Sequence, residues 1–304
     1  MKYNNSDRDF VVRPVVPAHD AERHTQPMTE TNTSFLRESG TAPIGVYDSG
    51  VGGLTILSAL RQELPQEDYI YIGDTAHIPY GNRSEAEVAE LALHCCHFLL
   101  QQGVKLIVVA CNTASQTALN VLRARYDHIP FVGVVPAVKP AARITRCGRI
   151  GVIATNQAAR AAYLHQLIDN FAEGIEVEAI GCPELVTLAE EGQFDGPIVE
   201  ETLRQALRPL LDKGVDVIVL GCTHFPAFRP AIERIVGKHV QVIDSGAAIA
   251  RRVRSILDTG NATHPEQAAG EHLALWCSGD PVPFSQVASK LLGYQVSVKK
   301  AEIP

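Results

Sequence analysis

The chain has no excess of positive charge, few cysteines for its length and no apolar run approaching a membrane span. A formal net charge of −7 over 304 residues leaves no basic footprint, which argues against nucleic acid as the main partner. Seven cysteines are too sparse for a disulfide scaffold, and their odd number leaves at least one unpaired. No CxxC or Cys/His ligand spacing occurs, Cys95 and Cys96 being simply adjacent, so no metal site is expected. The N-terminus carries one lysine and continues polar and acidic through Asn4, Asn5, Asp7 and Asp9, without the basic region and apolar stretch of a secretory signal. These absences imply a cytoplasmic protein with reduced thiols and no membrane partner.

Hydrophobic residues make up 46% of the chain, enough for ordinary globular packing, and its length favours two lobes over one core. Residues 1 to 42 are rich in Asn, Thr, Ser, Glu, His and Pro with little periodicity. They are expected to form a poorly ordered extension, dispensable for folding. From Pro43 short apolar runs alternate with helix-like stretches: Ile44 to Tyr47, Leu54 to Leu64, Tyr69 to Ile72, Glu85 to Leu100. That alternation predicts an α/β fold of mainly parallel sheets flanked by helices.

Lys105 to Ala110 and Asp216 to Leu220 show no polar alternation, which predicts strands buried on both faces. Further strands are expected at Ile150 to Ala154, Val240 to Ile243 and near Val132. Laid side by side, these runs form an internal repeat. Ile44-Gly45-Val46 matches Ile150-Gly151-Val152, and Ile107-Val-Val-Ala-Cys-Asn-Thr113 resembles Ile218-Val-Leu-Gly-Cys-Thr223. The simplest reading is two similar α/β halves, each presenting one thiol, Cys111 or Cys222, at a strand end.

In open α/β sheets ligands bind beyond the C-terminal strand ends, where both cysteines are expected, each just before a helix start. A helix N-terminus offers free N–H groups and positive potential for a thiolate or a carboxylate. One cysteine alone is as well read as a small residue packing after a buried strand. A repeated pair flanked by Asn112, Thr113, Thr223 and His224 points to chemistry instead. Inverting a stereocentre by proton transfer needs a base on one face and an acid on the other, and thiols near their ordinary pKa of about 8.5 serve as either. Asp48 and Ser49, after the first strand, are suited to a substrate ammonium or to capping the next helix. The Gly50-Val-Gly-Gly-Leu-Thr55 stretch lacks the third glycine of a dinucleotide loop.

Val46-Tyr-Asp-Ser-Gly-Val-Gly-Gly-Leu54, Gly73-Asp74 with Pro79-Tyr80-Gly81, Ala110-Cys-Asn-Thr113, Cys182-Pro-Glu184, Gly221-Cys-Thr-His224 and Asp244-Ser-Gly246 occur in this order. Together they resemble the signatures of the glutamate racemases over residues 44 to about 250. Gly133 to Ala141 and the long N-terminal extension are similar to the proteobacterial branch.

The resemblance implies interconversion of L- and D-glutamate without pyridoxal phosphate or another cofactor, supplying D-glutamate for peptidoglycan synthesis. It implies that Cys111 deprotonates D-glutamate with help from Asp48, and Cys222 L-glutamate with help from His224 and Glu184. Ser49 and Asp48 would then meet the amino group, Asn112, Thr113 and Thr223 the α-carboxylate, and Tyr80, Gly81 and Thr155 the side-chain carboxylate. Where such proteins have Gly-Thr-x-Gly-Thr, this chain has Ala154-Thr155-Asn156-Gln157-Ala158, keeping the first threonine and replacing the second by Ala158. The resemblance further implies a first α/β domain of 43–136 plus 244–304, a second of 137–243, and an active site in the cleft between them. Activation by a cell-wall precursor and assembly into a homodimer are left open by the residues.

Two other readings compete. Aspartate racemase or a related thiol isomerase would share the two-base chemistry. A two-lobed amino-acid binding protein would share the duplication and the cleft, without needing paired strand-end thiols. Dialysed, metal-chelated protein is expected to racemise glutamate at its ordinary rate. Activity restored only by pyridoxal phosphate or a divalent metal would overturn the cofactor-independent reading.

Overall fold

A computed structural model describes residues 28–264 and 273–303. In the first part of the chain, α1 (Glu30–Glu38) precedes β1 (Ile44–Asp48), α2 (Leu54–Glu63), β2 (Tyr69–Gly73), α3 (Glu85–Gln101), β3 (Leu106–Val109), α4 (Asn112–Arg125) and β4 (Phe131–Gly133). Then come α5 (Val138–Ile144), β5 (Arg149–Ala154), α6 (Asn156–Arg160), α7 (Ala162–Phe171), β6 (Glu176–Gly181), α8 (Pro183–Glu190), α9 (Pro197–Asp212), β7 (Val217–Leu220), α10 (Arg229–Val236) and β8 (Gln241–Ile243). Last are α11 (Gly246–Gly260), β9 (Leu273–Cys277), α12 (Pro281–Leu292) and β10 (Val298–Lys300).

The strands form two sheets, ordered β10-β9-β2-β1-β3-β4 and β6-β5-β7-β8, and every pairing in both is parallel. The run β2-β1-β3-β4 is repeated in β6-β5-β7-β8, so the sequence repeat is a structural one. The register agrees as well. Gly45 of β1 faces Ile107 of β3, and Gly151 of β5 faces Ile218 of β7. Cys111 and Cys222 therefore emerge at equivalent heights. The two glycines admit a close helix on each sheet: a Cβ on Gly45 would lie 3.2 Å from Leu99 of α3, and one on Gly151 2.7 Å from Leu210 of α9.

Parallel strands need cover on both faces, because their crossover helices lie there. On the first sheet, Val46, Tyr71 and Val108 pack with Leu57 of α2, Val253 of α11 and Phe284 of α12. The opposite face packs Tyr47, Ile107 and Val109 with Val88 of α3 and Leu119 of α4. The second sheet has two such layers, one with α8, α9 and α10 and one with α5 and α7. On this strand membership we propose the domain division 43–136 plus 244–304 and 137–243. No described helix is long and apolar enough to cross a membrane.

The expectation of a poorly ordered extension fails over its last third, while residues 1–27 lie outside the described ones. Thr29 and Asn32 form a capping box that starts α1. The helix buries Leu36 completely, against Gly260 at the end of α11. One leucine seated in a core outweighs a polar composition, which is why composition misled here. Beneath it, the buried Lys105 ammonium lies 2.6 Å from Glu67 and donates to the Gly40 and Ala262 carbonyls, tying the chain after α1 and after α11 to the first sheet. Leu36→Ala is expected to cost about 2–4 kcal/mol in denaturant unfolding. No loss of stability would restore the view that this segment is dispensable.

Candidate active site

Each catalytic candidate sits where a buried strand stops. Asp48 ends β1, Cys111 follows β3, and Cys222 follows β7. Cys111 is the N-cap of α4, so Asn112 and Thr113 form the first turn of that helix, with N–H groups lacking helical partners. Cys222 differs from the expected arrangement. The turn Cys222-Thr223-His224 leads into a short 3-10 turn, Phe225–Phe228, with Pro226 near its start, before α10 begins. There the partner of the thiol is an imidazole: His224 Nδ1 lies 3.5 Å from Cys222 Sγ.

Both thiols, each only 5% exposed, line one cavity of about 280 Å³. Ser49, Tyr80, Gly81, Asn112, Thr113, Thr155, Glu184, Thr223 and His224 line it too. Among these lining residues there is no lysine or arginine. Besides His224, the groups able to bind an anion are hydroxyls, amides and helix N–H groups. The Asn112 side-chain nitrogen is buried with no hydrogen-bond acceptor among the described residues. An orphaned buried donor on a cavity wall fits a carboxylate ligand.

Three expectations change in detail. Asp48 is fully buried behind the wall, accepting hydrogen bonds from the Gly50 N–H at 2.8 Å and the Thr223 hydroxyl at 3.0 Å. Ser49 does line the cavity, and its hydroxyl accepts from Cys111 Sγ at 3.6 Å. The Tyr80 hydroxyl is engaged elsewhere, donating to Asp74 at 2.6 Å and accepting from Tyr47 at 2.9 Å, neither of which lines the cavity. Glu184 stands at the exposed rim, and the carboxylate on His224 is Glu190 instead. Its Oε1 lies 2.6 Å from His224 Nε2 and accepts from the Val51 N–H at 2.8 Å.

Glu190 and the Asp74 cluster were missed in the sequence. Glu184 and Glu190 open and close α8 on different helical faces, and nothing in the local pattern says which one faces His224. Asp74 stands in a motif, but its partner Ser278, 2.6 Å away, is some two hundred positions later in the chain. Thr155 lines the cavity, where it caps α6 through the Ala158 N–H and lies 3.4 Å from Thr113 across the cleft.

The two thiols have opposite surroundings. Burial, and after it the charge of Asp48, pushes the Cys111 thiol up to about 12, with the Ala114 N–H and the Ser49 hydroxyl pulling the other way. Burial likewise raises Asp48 above the ordinary carboxylate range, opposed by His224, the Gly50 N–H and Thr223. Burial alone would lower the His224 imidazole. The charge of Cys222, the bond to it, and Glu190 outweigh that and raise His224 well above its ordinary value. Cys111 is thus pushed toward its thiol form, while the imidazole beside Cys222 is pushed toward its charged form.

A family model described as Asp/Glu/Hydantoin racemase matches residues 54–253. A glutamate racemase of Ectopseudomonas mendocina (strain ymp) is 42% identical over 259 residues, which cover 84% of this chain and 97% of that one. The crystal structure of the Escherichia coli glutamate racemase in complex with L-glutamate and the activator UDP-MurNAc-ala superposes with a TM-score of 0.76 at 35% identity, covering 86% of this chain and 99% of the other. The Francisella tularensis subsp. tularensis SCHU S4 glutamate racemase in complex with D-glutamate gives 0.75 at 32% identity, covering 86% and 98%.

A histidine whose folded-state pKa is raised stabilises the fold fully below the unfolded value of about 6.5, and loses that contribution as pH rises through the folded value. Glu190→Gln removes one of the charges that raise it. The His224 ring resonances, assigned by difference from a His224→Asn variant, are expected to titrate at lower pH in Glu190→Gln than in the parent. An unmoved titration would leave Cys222 as the partner that sets it.

Proposed function

Because the chain belongs to the Asp/Glu/hydantoin racemase family, we propose on the geometry of its cleft that it interconverts L- and D-glutamate by proton transfer between two thiols. The observation that carries this reading is the pair Cys111 and Cys222, brought to one cavity from equivalent strand ends of a duplicated fold. From L-glutamate, Cys222 as thiolate takes the Cα proton, and its charge is offset before transfer by the neighbouring His224 cation. The electron pair left at Cα delocalises into the α-carboxylate, where the first turn of α4 and the Asn112 amide stabilise the growing charge. Cys111, held as a thiol by burial and by Asp48, gives its proton to the opposite face. The product is D-glutamate, with Cys222 now a thiol and Cys111 a thiolate, and proton exchange with solvent resets the pair. The reverse reaction starts from the state before that reset, with Cys111 the thiolate base and Cys222 the thiol acid.

The side-chain carboxylate is assigned to the far wall, where Thr155 meets the Tyr80-Gly81 loop. Gly81 is needed there, since a Cβ on it would lie 3.2 Å from Thr155. Ala158, in place of a threonine, gives its N–H to Thr155 and is buried, so it keeps the first threonine oriented without facing the substrate. We assign the product to peptidoglycan synthesis in the cytoplasm, and a cell-wall precursor of the kind named as activator in the Escherichia coli structure to its regulation.

In deuterated water the product enantiomer is expected to carry deuterium at Cα from the earliest turnovers, while recovered substrate stays mostly unlabelled. Cys111→Ser and Cys222→Ser should each lower racemisation at least about a hundredfold, the usual worth of a positioned acid or base. Each should keep some elimination activity on the one enantiomer of a β-substituted analogue that its remaining thiol faces. Equal early labelling of both enantiomers, or full activity after loss of either cysteine, would reject the two-thiol mechanism. Aspartate turned over in preference to glutamate would replace the substrate.

A further inference from the structure

Several hydrogen bonds join the two halves, and most of those near the cavity involve groups already placed in the site; that of Thr55 does not. Thr55 lies in the first turn of α2, in the first half of the molecule, yet its hydroxyl oxygen is 2.9 Å from the backbone carbonyl of Thr223 in the second half. The same oxygen is 2.9 Å from the Gly52 carbonyl, three residues back on its own chain. A hydroxyl carries one proton and can donate it to only one of these acceptors at a time.

The Thr223 carbonyl has a particular need of that proton. The turn after Cys222 follows a 3-10 pattern, in which the Phe225 N–H donates to the Cys222 carbonyl at 3.1 Å and the Ala227 N–H to the His224 carbonyl at 3.3 Å. The donor to Thr223 in that series would be residue 226, which is proline and has no N–H. Thr223 is only 4% exposed, so its carbonyl is poorly placed to find water, and a buried acceptor without a donor is costly.

We propose that Thr55 is a positioning residue for the racemase reaction: its hydroxyl supplies across the cleft the hydrogen bond that Pro226 cannot, and holds the Cys222-Thr223-His224 turn only while the cleft is closed. When the cleft opens, the hydroxyl turns to the Gly52 carbonyl, which moves with it, so opening leaves no orphaned donor on the first half. Closure is therefore rewarded on one side without a penalty on the other. This inference rests on the racemase reading, and it assigns Thr55 no contact with substrate.

Thr55→Val keeps the shape and removes the proton, and Thr55→Ser restores it. Because enantiomers have equal free energy, kcat/KM must be the same in both directions for any variant. With closure weakened, Thr55→Val is expected to raise KM for L- and D-glutamate alike by about fivefold, about 1 kcal/mol, with kcat changed less than about twofold. Thr55→Ser should return KM to the parent value. Pro226→Ala gives residue 226 an N–H, so in that background Thr55→Val should have a smaller effect, a non-additivity that a purely local role in α2 would not produce. A cooperative thermal melt of each variant verifies that the comparison is between folded proteins. An unchanged KM in Thr55→Val, a serine variant as impaired as the valine one, or full additivity with Pro226→Ala would overturn the proposal. A parent protein without glutamate racemisation would instead overturn the functional reading on which it rests.

Discussion

Two carboxylates of the cleft, one buried and one partly buried, are each rooted in one half of the molecule and hydrogen-bonded to the other. Asp48, at the end of β1, accepts the hydroxyl of Thr223 from the second half. Glu190, at the end of α8, accepts the N–H of Val51 from the first half while it holds His224. A carboxylate out of contact with water must have its charge met by donors or by a counterion, or it takes up a proton. Cleft closure supplies part of that requirement for Asp48 and, at the same time, seats Glu190 against His224. The geometry that brings the two thiols to one cavity thus also places the charged groups beside them.

A duplicated scaffold does not imply duplicated chemistry. The strand order and register place Cys111 and Cys222 symmetrically, yet one thiol faces a carboxylate and a helix start while the other faces an imidazole. That asymmetry suits a reaction that moves one proton. At any moment one sulfur must hold a proton and the other must be free to receive one, and two identical environments would give no preference for either state.

Among the described residues no lysine or arginine lines the cavity, which has a related consequence for the proposed reaction. A dicarboxylate bound there chiefly by hydroxyls, amides and helix N–H groups would be fixed by direction more than by net charge. Donors of this kind around its α-carboxylate would already be oriented toward the oxygens where negative charge grows as the Cα proton leaves, and would need no reorganisation at that moment.

Much of this was legible along the chain. The apolar runs ending at Cys111 and Cys222, the paired Ile-Gly-Val strings and the glycines that admit α3 and α9 are local patterns, and local patterns suffice to specify parallel strands and the residues at their ends. The capping box at Thr29 was equally local, although composition obscured it. Glu190, Ser278 and Thr55 belong to another category. Each is an unremarkable helix or turn residue whose role comes from a partner far along the chain: Glu190 from His224, Ser278 from Asp74, Thr55 from Thr223. By itself the sequence determined the repeat, the two thiols and the strands apart from β6, β9 and β10, because those depend on periodicity and on residues a few positions apart. Which carboxylate faces which base, and which hydroxyl spans the cleft, only the tertiary structure decided, because those contacts arise when the two sheets are brought face to face.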